Sequence, residues 1–343
     1  MKFFTLQALV LAVGLSTVAF ATPLAPLSSG STSFLVNDTT RSSPIGTGVN
    51  NSATGGNSAN AGQMYSLTAF GFQMLDVGDA VHDFGAFLGT NNPNSLVSNS
   101  IGGLGTSGPN TNFSTTSAGL TTIGGISAIT TSGVFSGVFG NIAWTKTYRF
   151  IAADVIEEVY SVTNNGTAAV ANFRGFTALD YDQYSGGNPV SGTNPSFGST
   201  NTSGTLNGFR YAQSSFTGLN AVLASNDAAV NIGILANNYV NSDCLVALSG
   251  GPTGSCSPFP GNNDRALAYV FNIASLGVGA SQSFTVYQLF GNGSFNLTNA
   301  LSALPVVPVS SGGGIPEPGS MLLMGSACVA LGVIARRRAK SNS

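Results

Sequence analysis

Asp180 and Asp182 flank Tyr181 in the stretch LDYDQY, and at that spacing on a strand both carboxylates project from the same face. Two such oxygen donors suit calcium, a hard cation that gathers about six to eight oxygens and stabilises loops outside the cell. As a glycosidase pair they would have to face each other across a sugar-shaped cleft at roughly 5–10 Å. The plainer expectation is two solvated aspartates closing a strand. Glu157 and Glu158 are adjacent, so they point to opposite faces and make a poor pair.

The single histidine, His82, stands beside Asp83 with Asp76 and Asp79 just upstream. A Ser-His-Asp arrangement would have to use it, yet the chain has no G-x-S-x-G elbow and serine is too abundant to nominate a nucleophile. Gly103 to Gly108 matches G-x-G-x-x-G, a chance match among 45 glycines with no helix after it to receive a phosphate. Cys244 and Cys256 enclose LVALSGGPTGS. In an oxidising compartment they are expected to form a disulfide worth about 3 kcal/mol if unstrained. A zinc site in their place lacks histidine partners. Trp144, Tyr181, Tyr184 and Tyr211 are rings that can stack on sugars, although rings on strands more often fill a core. Asn37, Asn112, Asn165 and Asn201 begin N-x-S/T triplets, the background expected of so Asn- and Thr-rich a chain and open to glycans on a surface protein. No catalytic set emerges, and the body is read as something other than an enzyme.

The elements that must position these residues read as strands. In SFTVYQLF, Phe284, Val286, Gln288 and Phe290 share one face and Thr285, Tyr287 and Leu289 the other. Between Val155 and Asp182 two apolar runs flank Asn165-Gly166, a pair suited to the left-handed geometry of a tight turn, which predicts an antiparallel hairpin. Further strands are predicted at 64–75, 81–88, 120–130, 144–151, 209–216, 221–224, 230–235 and 266–273. Residues 28–62 and 184–208 are rich in Gly, Ser and Asn and are expected to be mostly loop, with one early strand around Phe34. No window shows a convincing amphipathic helix. Many short strands without alternating helices predict a mostly β fold, an antiparallel β-sandwich.

Composition narrows the setting. Only 7% of residues are charged, against about 25% in ordinary soluble domains, so hydroxyls and amides solvate the surface. Five of the eleven basic residues, Lys2, Arg336, Arg337, Arg338 and Lys340, lie at the termini, and Glu317 is the one acidic residue there, which leaves six basic against twelve acidic in the body. That balance disfavours nucleic acid as a partner, since it is held mainly by Lys and Arg on phosphates.

Both ends read as membrane-handling segments. Met1 to Ala21 has one positive charge, an apolar run and a small-x-small ending at Ala19-Phe20-Ala21, the pattern of a cleaved secretion signal. Gly319 to Ala335 is seventeen residues without a charge, close to the lower limit for a spanning helix, and Arg336, Arg337 and Arg338 then hold the C-terminus on the cytoplasmic side. Ahead of it, the prolines of Ile315-Pro316-Glu317-Pro318-Gly319 favour an extended backbone, and PVVPVSSGGG upstream forms a flexible tether.

This order of Pro-Glu-Pro, short apolar helix and arginine cluster resembles the PEP-CTERM sorting signal of Gram-negative bacteria that make extracellular polysaccharide. The resemblance covers Ile315 to Ser343. It implies recognition by exosortase, a membrane cysteine protease or transpeptidase, with Pro316, Glu317 and Pro318 as recognition residues. It implies nothing about the rest. The chain is accordingly divided into a signal peptide at 1–21, a polar segment at 22–63, a β-sandwich ectodomain at 64–300, a linker at 301–315 and a sorting signal with a transmembrane helix at 316–343. The expected product is an exported protein, anchored in the inner membrane as a precursor and then placed at the cell surface or outside. A structural or interaction role leads, with a polysaccharide-binding module and a polysaccharide-cleaving enzyme as the alternatives.

Overall fold

The computed structural model describes residues 26–36, 64–75, 82–89, 97–98, 112–181, 184–185, 188–189, 200–216, 219–235, 245, 247–248, 250 and 266–306. The signal-peptide segment, Cys244, Cys256, Asp182 and the whole of 316–343 lie outside the described residues. Among those described, no helix is long and apolar enough to cross a membrane.

The strands in chain order are β1 (Leu27–Ser29), β2 (Thr32–Val36), β3 (Met64–Ala69), β4 (Phe72–Leu75), β5 (His82–Leu88), β6 (Val97–Ser98), β7 (Phe113–Ile123), β8 (Ile126–Phe135), β9 (Ile142–Ala152), β10 (Val155–Asn164), β11 (Val170–Asp180), β12 (Tyr184–Ser185), β13 (Asn188–Pro189), β14 (Thr200–Leu206), β15 (Phe209–Phe216), β16 (Leu219–Ser225), β17 (Val230–Leu235), β18 (Ala266–Leu276) and β19 (Ser281–Asn292). A short helix, α1 (Leu297–Ser302), follows. They form three antiparallel sheets: an eight-stranded one ordered β14-β15-β16-β19-β10-β9-β8-β7, a five-stranded one ordered β17-β18-β11-β5-β6, and a six-stranded one ordered β1-β2-β3-β4-β12-β13. The mostly β, antiparallel reading of the sequence is what the chain adopts.

Aromatic side chains join the sheets. Phe271 of β18 stacks on Phe284 of β19 at 4.1 Å between ring centres, and Tyr160 of β10 meets Phe271 edge-on at 4.9 Å. Phe84 of β5 packs edge-on against Trp144 of β9 at 5.0 Å, and Phe34 of β2 reaches Tyr148 of β9 at 6.1 Å. Each such pair adds about 0.5–1.5 kcal/mol beyond the apolar area it buries. On the opposite face of the eight-stranded sheet, Tyr287 and Leu289 are covered by Leu301 and Leu304 at and just beyond α1. Packed residues therefore continue past 300, and at the other end Phe34 and Val36 are buried within the segment read as polar.

Four local expectations are corrected. Asn165-Gly166 does not close a hairpin, because β10 pairs with β9 and β19 whereas β11 pairs with β18 and β5, so the chain crosses between sheets there. Buried Asn164 makes the crossing: its amide nitrogen donates to the carbonyls of Ala168 and Leu276, each at 2.9 Å, and its Oδ1 accepts from the Gly166 N–H at 2.9 Å. The strands predicted at 64–75 and 120–130 are each two strands, β3 and β4 turned at Phe70-Gly71 and β7 and β8 turned at Gly124-Gly125, where all four residues have positive φ. The polar run 184–208 contributes β14, an edge strand paired to β15 across Asn207-Gly208, also at positive φ. An edge strand needs little apolar burial, so its Ser, Thr and Asn content does not forbid it.

Candidate functional site

The strand β9 alternates cleanly, with Ile142, Trp144, Lys146 and Tyr148 inward and the residues between them outward. Lys146 is thus carried into the space between the sheets, in phase with large apolar side chains. Glu158 is brought to the same face by β10, where it lies opposite Tyr148, while Lys146 lies opposite Tyr160. The two charges are diagonal neighbours on adjacent strands, with Nζ 2.6 Å from Oε1 and both side chains fully buried.

Four further polar side chains converge on this pair. Lys146 Nζ donates to Thr177 Oγ1 at 2.8 Å, and Tyr269 donates its hydroxyl hydrogen to Glu158 Oε1. Gln288 Nε2 donates to Glu158 Oε2 at 3.0 Å, and Tyr181 in turn donates to Gln288 Oε1 at 3.0 Å. Thr177 and Tyr269 come from the five-stranded sheet, on β11 and β18, where they are paired in register. Around Nζ stand the rings of Phe84, Tyr160 and Tyr148 at 4.4, 5.2 and 5.4 Å. Removal from water lowers the Lys146 pKa to about 8, with the attraction of Glu158 acting the other way. Burial first, and the Glu158 charge second, push the hydroxyls of Tyr148, Tyr160, Tyr181 and Tyr269 well above their usual range, so they stay protonated donors. All six of these polar side chains are buried.

Adjacent Glu157 and Glu158 do take opposite faces, Glu157 pointing outward to the guanidinium of Arg149. What the sequence reasoning missed is Lys146. Its signal was a lysine in phase with Ile142, Trp144 and Tyr148, a register in which a charge has to find a buried partner.

The outward face of the same sheet is lined with hydroxyls. Ser117, Ser132, Thr145, Ser161 and Ser283 stand in register across β7, β8, β9, β10 and β19. Neighbouring hydroxyls bond to one another at 2.6 Å (Ser117 with Ser132), 2.7 Å (Ser161 with Ser283) and, in adjacent rows, 2.7 Å (Thr163 with Ser281) and 3.2 Å (Thr130 with Thr147). A separate depression of about 330 Å³ is lined by Leu88, Val138, Phe139, Thr167 and Val170 among others and carries no ionisable side chain.

The remaining sequence candidates disperse. Trp144 and Tyr181 are core side chains, 0% and 2% exposed, so neither can stack on a sugar at the surface. Tyr211 is half-buried and packs with the cluster under α1. His82 and Asp83 open β5 opposite Leu179 and Ala178. Asp180 ends β11 opposite Ala266, and its partner Asp182 lies outside the described residues. Among the described residues no group of three His, Cys, Asp or Glu side chains is placed to hold a metal ion.

No curated protein matches the sequence. Similar solved structures include a TPR-domain containing protein from Parabacteroides distasonis, at 10% identity over 73% of this chain and 46% of that one with a TM-score of 0.41. The chain thus spans about half the length of that protein. A galactose mutarotase-like protein from Lactobacillus casei is 9% identical over 78% of this chain and 99% of that one, with a TM-score of 0.41. Heparan sulfate lyase HepC from Pedobacter heparinus is 12% identical over 80% and 38%, with a TM-score of 0.36. Likeness at this level assigns no activity. The informative match is short and lies at the end of the chain: residues 314–338 fit the family model of the PEP-CTERM protein-sorting motif, a motif that implies processing by exosortase, and the chain carries it.

Proposed function

We propose that this is an exported structural or interaction protein whose β-rich body is delivered to the cell surface or extracellular matrix through its C-terminal signal. The observation that carries this reading is the sorting motif at 314–338. The signal peptide at 1–21, a spanning helix after Pro318 and orientation by Arg336, Arg337 and Arg338 belong to the same reading. Pro316, Glu317 and Pro318 would be read by exosortase as an extended segment, because two prolines hold φ near −65° and resist helix formation. Among the described residues the fully buried ion pair, Lys146 with Glu158, is sealed between the sheets, which supports a structural role for those two charges.

A second reading has one observation in its favour. The hydroxyl rows of the eight-stranded sheet form a polar stretch of the kind that meets neutral polysaccharide through hydrogen bonds, whereas two of the candidate stacking rings, Trp144 and Tyr181, are buried.

The sorting reading is tested by replacing Pro316, Glu317 and Pro318 together with alanine in the native host. The triple variant is expected to accumulate as a full-length membrane-bound precursor while the wild type is shortened. Equal processing of the two chains would remove the assigned role of Pro-Glu-Pro.

A further inference from the structure

The cluster between the sheets presses an amine against a carboxyl group, both fully buried. Nζ of Lys146 is 2.6 Å from Oε1 of Glu158, which places it within about 3.8 Å of Cδ given a C–O bond of about 1.2 Å. Reacting atoms held about 3–3.5 Å apart in a fixed geometry behave as if at very high effective concentration. The two residues sit on paired strands with a two-residue offset, so their side chains meet across the diagonal.

We propose that Lys146 and Glu158 condense into an intramolecular amide, joining β9 to β10 covalently and releasing one water. Proton transfer within the pair turns the ammonium and carboxylate into a neutral amine and a carboxylic acid, whose hydrogen is on Oε1. The Nζ lone pair then attacks Cδ, forming the C–N bond, while the electrons of the C=O bond move to Oε2. Gln288 Nε2 donates to that oxygen at 3.0 Å, and Tyr181 fixes the amide of Gln288 in the orientation this requires. Nζ passes a proton to Thr177 Oγ1 at 2.8 Å, and the Thr177 hydroxyl, 3.4 Å from Oε1, hands its own hydrogen to Oε1. Oε1, also held by the Tyr269 hydroxyl, leaves as water when the Oε2 carbonyl re-forms. No oxidant, reductant or activated donor is consumed.

The surroundings favour product over reactants. Water would hydrolyse or dilute such a step, but both side chains are fully buried among the rings of Phe84, Tyr148 and Tyr160. A buried ion pair carries a desolvation penalty of several kcal/mol per ion, and a neutral amide does not. The depression of the Lys146 pKa to about 8 acts in the same direction, since a lysine kept from water is more readily the neutral nucleophile.

The test is a peptide map of the full-length folded protein, denatured and then digested with trypsin. The expected result is no cleavage after Lys146 and a branched fragment, lighter than its two parts by one water, whose fragment ions join Lys146 to Glu158. Thr177→Val and Gln288→Leu variants that keep the wild-type circular dichroism should form it at least tenfold more slowly. Normal cleavage after Lys146 in folded protein after prolonged incubation would overturn the proposal, as would a lost water that maps elsewhere. Where a variant does not fold, the wild-type map decides alone. Full-rate condensation in folded Thr177→Val and Gln288→Leu chains would overturn the roles given to those side chains.

Discussion

Lys146 and Glu158 show what a strand register can demand of single residues. Neither charge can reach water, so each depends on the other and on the donors and acceptors of Thr177, Tyr269 and Gln288. Measured against chains whose Lys146 amine is still free, Lys146→Met alone is expected to lower the unfolding free energy by about 3–5 kcal/mol, because it leaves a buried carboxylate unpaired. The Lys146→Met/Glu158→Leu double variant should recover most of that loss; chemical denaturation of the three chains measures both steps. Chains whose Lys146 amine is still free carry a pH signature as well. With a folded pKa near 8 against 10.5 unfolded, the unfolded chain binds the extra proton in that window, so stability rises as pH is raised through it and is flat below. The slope is at most about 1.4 kcal/mol per pH unit, and it should be absent from Lys146→Met and from chains in which the amide has formed. Denaturation midpoints at pH 7, 8.5 and 9.5, taken as differences from Lys146→Met, measure it.

At the scale of elements, period-two alternation made the two faces of β19 legible. The assignment of Phe284, Val286, Gln288 and Phe290 to one face of β19 and Tyr287 and Leu289 to the other matches the two clusters that cover it. Pairing was less legible, since a turn dipeptide reports local geometry and not the partner strand. Asn165-Gly166 looked like a hairpin closure, but β11 is buried on both faces, Phe173 and Leu179 toward one core cluster and Phe176 and Ala178 toward another. Asn164 enforces the switch, and Asn164→Ala is expected to cost about 1–3 kcal/mol by orphaning the buried Leu276 carbonyl. Thermal unfolding of the variant checks this; a change below a few tenths of a kcal/mol would mean that the loop crosses between sheets without that side chain. In the candidate site, the two faces of Glu157 and Glu158 could be read locally, whereas the contacts to Thr177 and Tyr269 depend on strands 19 and 111 residues away.

For the whole molecule, the sparse charges divide by place. In the body they are few and the sheet surface is solvated by hydroxyls; at the C-terminus they gather behind an apolar run and the Pro-Glu-Pro tripeptide, inside the sorting motif at 314–338. That separation is the physical basis for reading the body as cargo and the tail as its address. The most direct measurement is mass-spectrometric mapping of both termini of the mature protein recovered from its native cells. The account predicts a chain that begins near Thr22, ends at or near Pro316 to Gly319 and lacks Arg336, Arg337 and Arg338. A surface or secreted product that retains Ser343, or a native pool that stays cytosolic with both ends intact, would contradict it.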